Sequence, residues 1–190
     1  MARSTFSGPI SALTAETDGG IWIPAKSMSF YTGTWTDTRV ATGNYVMRKT
    51  ATAETSNIVA HISLAMLQKI GSDPNTEVAH DIRGFRIDSF DVVYGVTTAA
   101  LAATPTIAMN QVTYSNNVAN AVAAAGGTLT GTFATATQSN PYLVNVTCGT
   151  PYVVCGNTAD RAVTIEFQAQ AASTTVLDIY GIYLRVSYNL

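Results

Sequence analysis

The sequence predicts an all-β protein, an antiparallel β-sandwich of jelly-roll type. Three observations predict it. Runs of period-two alternation recur along the chain with turn signals between them. Two long β-branched and aromatic runs, residues 84–96 and 175–188, are rich enough in apolar side chains to be inner strands. Helical periodicity is scarce. The 190 residues suit one large β-domain with an extended N-terminal arm, divided here as residues 1–44 and 45–190.

The arm carries Gly8-Pro9, Asp18-Gly19-Gly20 and then Ile21-Trp22-Ile23-Pro24. Pro24 cannot donate to a ladder, so this apolar run predicts a short or edge strand. Residues 27–44 mix Phe30, Tyr31, Gly33 and Trp35 with Thr, and read as a loop-rich extension over the domain. The regular part opens at residues 44–50. Residues 57–66 alternate Ile58, Ala60, Ile62, Leu64 and Met66 against Val59, His61, Ser63 and Ala65, with a helix over 63–70 as the competing reading.

In residues 84–96, Phe90, Val92, Tyr94 and Val96 fall on one face and Ile87, Ser89, Asp91 and Val93 on the other. Residues 106–114 alternate around Ile107 and Met109. The Ala-rich stretch 118–125 reads as two helical turns stopped by Gly126-Gly127. Residues 128–135 alternate weakly. Residues 141–148 put Tyr142, Val144, Val146 and Cys148 together, and residues 162–170 put Val163, Ile165, Phe167 and Ala169 inward. In residues 175–188, strict alternation gives both faces apolar side chains, Val176, Tyr180, Ile182, Leu184, Val186 and Tyr188 on one and Leu177, Ile179 and Tyr183 on the other. That strand is expected to be covered on both sides.

Composition narrows the function classes. Hydrophobic residues make up 47% of the chain and charged residues 12%, about half the usual charged share. A surface this poor in charge suits a protein covered by other subunits. Net charge is −2, and the 10 Lys and Arg form no basic run, which argues against a nucleic-acid groove. No apolar run is long enough for a membrane helix. The N-terminus lacks the apolar stretch of a secretory signal, so cytoplasmic synthesis is expected.

Catalytic and metal constellations are missing. His61 and His80 sit in no ligand pattern. Asp88 and Asp91, three apart on a regular strand, point to opposite faces and share no substrate. Cys148 and Cys155 bracket a six-residue loop; a disulfide there would contribute roughly 2–3 kcal/mol, but free buried thiols are favoured in a cytoplasmic product. Asn145-Val146-Thr147 fits the glycosylation pattern by chance. No catalytic, cofactor-binding or metal residue is assigned, and no small-molecule substrate is expected.

Three segments resemble structural proteins of tailed-bacteriophage virions: Gly20-Ile21-Trp22-Ile23-Pro24-Ala25, the run from Arg83 to Tyr94, and Val176-Leu177-Asp178-Ile179-Tyr180-Gly181-Ile182-Tyr183. The second is similar to the G-(F/L)-x-(I/L)-x-S-x-D-V-V-Y strand of such β-sandwich proteins, the third to their closing (V/L)-x-I-Y-G-I strand. The resemblance implies a non-enzymatic capsid decoration (cement) protein or a related head or tail accessory protein. It also implies self-association, often as a homotrimer, and the major capsid protein as partner. Phe6, Trp22, Tyr31 and Trp35 are the candidate assembly contacts. The alternative is a fibre or binding module recognising a host-surface glycan, with Trp22, Trp35, Tyr31 and Tyr45 stacking on sugar rings.

Overall fold

The computed structural model describes residues 18–40, 43–50, 53, 55–62, 84–115, 118–155 and 161–189. Within them lie twelve strands and one 3-10 turn, Ala25–Ser27. The strands are β1 (Asp18–Pro24), β2 (Ser29–Thr32), β3 (Thr36–Arg39), β4 (Tyr45–Thr50), β5 (Thr55–Ile62), β6 (Gly84–Thr97), β7 (Leu101–Ser115), β8 (Val118–Ala124), β9 (Leu129–Thr130), β10 (Tyr142–Cys155), β11 (Arg161–Ala171) and β12 (Val176–Asn189).

They form two antiparallel sheets. The larger has seven strands in the order β3-β4-β12-β6-β10-β9, with β1 also paired to β12; the smaller runs β2-β5-β11-β7-β8. Early strands close against late ones in each sheet, β4 on β12 and β5 on β11, which is compatible with the expected jelly-roll winding. The two inner faces pack together as a sandwich. Phe90, Val92, Tyr94 and Val96 of β6 are wholly buried against Val163, Ile165, Phe167 and Ala169 of β11 in one core. Tyr94 and Phe167 bridge the sheets with ring centroids 5.5 Å apart, and Phe133 stands 5.7 Å from Phe167. Each fully buried side chain of this size stabilises by about 1.5–3 kcal/mol.

The two long runs expected to organise the sandwich are neighbours: β6 and β12 pair along their whole lengths, from Val176↔Thr97 to Asn189↔Gly84. Two bulges interrupt that ladder. Tyr180 is an extra residue of β12, between Ile179↔Tyr94 and Gly181↔Val93. Asp88 is an extra residue of β6, between Arg185↔Ser89 and Val186↔Ile87. An extra residue changes which face the next side chains take. Strict alternation therefore misplaces Ile87, which is fully buried in the core with Phe90. It also misplaces Leu177 and Ile179, which join Ile182, Leu184 and Val186 in the core. β12 is thus not covered on both sides: its outer face presents half-buried Tyr183 and exposed Arg185.

Two further expectations are corrected. Residues 118–125 do not form helical turns. Val118–Ala124 is a strand paired with β7, from Ser115↔Val118 to Asn110↔Ala124, because Ala accepts either conformation and the partner strand decides. Asp18–Arg39, expected in an extended arm, instead supplies β1, β2 and β3 to the two sheets. The first seventeen residues of the expected arm lie outside the described residues, as do residues 63–83, where the competing helix fell.

Candidate ligand-binding face

The outer face of the larger sheet is built from β1, β12, β6 and β10 in register. Trp22 stands opposite Tyr183, Tyr183 opposite Asp91, and Asp91 opposite Asn145. One row along, Gly20 faces Arg185, which faces Ser89, which faces Thr147. On the other side lies an apolar row, Pro24, Gly181, Val93 and Leu143. All alternate with core residues such as Ile23, Leu184, Val92 and Val144, so the sandwich itself aims them outward.

Two glycines let the aromatic rings lie down on the sheet. A Cβ on Gly181 would come within 2.7 Å of Trp22 Cζ2, so the indole covers that glycine. The phenol end of Tyr183 occupies the corresponding space over Gly20. Gly181 also has φ 156°, a conformation side chains other than glycine rarely take. Trp22 remains 46% exposed, and Leu143 in the neighbouring row 68%.

Asp91 braces the polar part of the face. Its Oδ1 accepts a hydrogen bond of 2.7 Å from Asn145 Nδ2, and its Oδ2 accepts one from Arg185 Nη2. The carboxylate is buried while Arg185 is exposed. Hydrogen bonding to Asp91, with its charge, raises the Arg185 pKa further above its ordinary value. The guanidinium also lies over the Tyr183 ring, 5.5 Å from its centroid. Thr147 Oγ1 donates to Asn145 Oδ1 at 3.3 Å.

Beyond Arg185 the face dips into an open cleft of about 330 Å³ lined by Gly20, Asp88, Ser89, Tyr183, Arg185 and Ser187 among others. The bulge puts the Asp88 carboxylate there, where it accepts from Ser187 Oγ at 3.2 Å and Arg86 Nε at 3.1 Å. This corrects the parity argument. Asp88 and Asp91 lie on the same outer face, since the extra residue between Ile87 and Ser89 cancels one step of alternation.

Among the described side chains, Trp22 is the sequence-selected aromatic on this face. Trp35 packs on Phe30 with centroids 5.0 Å apart and against the core, and its Nε1 donates to Thr32 O at 3.0 Å. Tyr45 is 63% exposed, but it shares its side of β4 with Met47, which packs on the core, and so lies on the opposite side of the sheet from Trp22. There it sits 5.9 Å from Lys26 Nζ, itself paired with Asp37 at 2.6 Å. The side chain of Tyr31 and all of Phe6 lie outside the described residues. So do His80 and the side chains of His61 and Cys155. Cys148 is a free, buried thiol whose pKa is raised by burial and then by the Asp88 charge. Among the described residues, no group of three His, Cys, Asp or Glu side chains could hold a metal ion.

Sequence reasoning missed Tyr183, Arg185 and Asn145. The signal available was glycine inside a strand, at Gly20 and Gly181, which marks a bulge or a close approach.

No family model matches the chain, and no curated protein matches it. Among solved structures, the chain is similar to a low-affinity xylan-binding module, CBM86, from the xylanolytic gut symbiont Roseburia intestinalis. That alignment has 9% identity, covers 87% of this chain and 94% of the module, and has a TM-score of 0.28. So loose a likeness transfers nothing about ligand or site.

Proposed function

We propose that the chain is a non-catalytic binding module and that the outer face of the larger sheet holds a glycan. The observation that carries this reading is the exposed Trp22 indole lying over Gly181, on the same face as Arg185 and Asn145, which the buried Asp91 braces. The face of an indole carries negative charge density and attracts the slightly positive C–H groups of a sugar ring. Neighbouring amide and guanidinium groups suit hydroxyls. Because Asp91 already holds both, less side-chain entropy is lost when a ligand arrives. Calorimetric titration of a panel of oligosaccharides tests the reading. A sugar that binds wild type should bind Trp22→Ala at least roughly tenfold more weakly, with the strand content of the fold retained. Undiminished binding by that variant, or no binding by any glycan at millimolar concentration, would overturn it.

A second reading is a virion structural protein, a capsid decoration or head or tail accessory protein. The exposed Leu143, in one row with Val93 and Pro24, favours an assembly contact, as does the low charge of the chain. Under this reading the protein is oligomeric, and Leu143→Asp dissociates it in light scattering. A monomeric wild type would remove it. The two readings meet in a glycan-binding head carried on a virion.

A further inference from the structure

Resting on the glycan reading, we infer that the ligand is an extended neutral chain lying along β12 from Trp22 to the Asp88 cleft, rather than a terminal sugar or an acidic glycan. The first ground is length. The indole lies over Gly181 and the cleft reaches Ser187. Six residues of strand at about 3.3 Å each span about 20 Å, which is more than one sugar ring covers. The lane between them is continuous, since Tyr183 stands opposite Trp22 and also lines the cleft with Arg185.

The second ground is charge. Among the described side chains, the lane holds two cations and two anions in pairs, Arg185 with Asp91 and Arg86 with Asp88 at 2.9 Å. Each guanidinium already has its charge balanced by a protein carboxylate, so an anionic sugar meets no net positive charge here. A neutral hydroxyl can donate to Asp88 or accept from Arg185 without breaking either pair. The cleft is also polar on its walls, with Ser89, Ser187 and the carboxylate, unlike the apolar row around Leu143. The two ends therefore divide the work: stacking at Trp22, hydrogen bonding at Asp88.

The test titrates the full chain with neutral oligosaccharides of one to six units (β-1,4-linked glucose, xylose and mannose, and α-1,4-linked glucose), and with hexagalacturonate. Each is measured at low and high salt. Affinity for the neutral series that binds should rise roughly tenfold or more between disaccharide and the longer members, because the cleft is then reached. Salt should leave it unchanged. Asp88→Asn and Ser187→Ala should remove that gain, so that the longer members bind these variants no more tightly than the disaccharide does. If Asp88→Asn fails to fold, Ser187→Ala and the wild-type length series still decide. A monosaccharide bound as tightly as a hexamer, or hexagalacturonate bound more tightly and released by salt, overturns the inference and leaves the glycan reading standing. Failure of every sugar in the panel overturns both.

Discussion

Gly20 and Gly181 occupy equivalent positions under two aromatic rings, yet a methyl group at each meets different matter. At Gly20 it meets the far end of the Tyr183 side chain, which can swing away. At Gly181 it meets the backbone carbonyl of Ile23 as well as the Trp22 ring, and the backbone there has φ 156°. Backbone cannot swing, and a side chain in that conformation costs about 1–3 kcal/mol. Gly20→Ala should therefore keep the fold within about 0.5 kcal/mol while displacing Tyr183 and weakening glycan binding. Gly181→Ala should lower stability by about 1–3 kcal/mol and loosen β1. Denaturant titration of both variants distinguishes the cases; equal losses would show that the rings do not lie as described.

At the scale of elements, legibility followed the regularity of the ladder. β11 was readable because nothing interrupts its alternation at Val163, Ile165 and Phe167, and all are in the core. β6 and β12 were readable as strands but not as faces. A bulge at Asp88 or Tyr180 adds one residue without a mark in composition, apart from the glycine beside Tyr180. β8 was misread because alanine favours a helix locally, while pairing with β7 decides for a strand. The candidate face was half hidden for the same reason: alternation alone sets Tyr183 and Arg185 on one side of β12, opposite Asp91 and Ser89, but the bulge is what turns Asp88 to that side.

The loop between β9 and β10 has its own pin. Tyr94 Oη donates to Ala134 O at 2.8 Å and accepts from Ala134 N–H at 2.9 Å. Burial, opposed by the Ala134 hydrogen bond, pushes the Tyr94 pKa up from 10.0 to about 12. The raised value means the folded state holds the phenolic proton more tightly than the unfolded chain. That stability is fully present below pH 10 and is lost as pH rises from 10 to 12, amounting to about 2–3 kcal/mol. Tyr94→Phe should cost about 1–3 kcal/mol at neutral pH by orphaning the Ala134 groups, and should flatten the stability profile between pH 10 and 12. An alkaline profile identical to wild type would contradict this role.

For the whole molecule, the decisive joint is the edge of β12 opposite β6. Two strands tile it: β4 covers Val176–Ile179 and β1 covers Gly181–Ser187, with the Tyr180 bulge at the seam. β1 therefore does two things at once. It carries Trp22 on the outside and Ile23, buried in the core, on the inside. It also satisfies the ladder groups of a strand whose inner residues Ile182, Leu184 and Val186 are core. Removing residues 1–17 keeps every described strand, whereas removing residues 1–24 takes away β1 entirely. The longer truncation loses the burial of Ile23, about 1.5–3 kcal/mol, together with the ladder, and leaves a long unpaired edge that invites chain-to-chain pairing. The shorter truncation should keep a wild-type melting temperature and glycan affinity. The longer one should melt well below it, aggregate on heating and bind no glycan. Thermal unfolding followed by light scattering separates the two, and a longer truncation as stable as the shorter would show that β1 is an appendage rather than part of the sandwich.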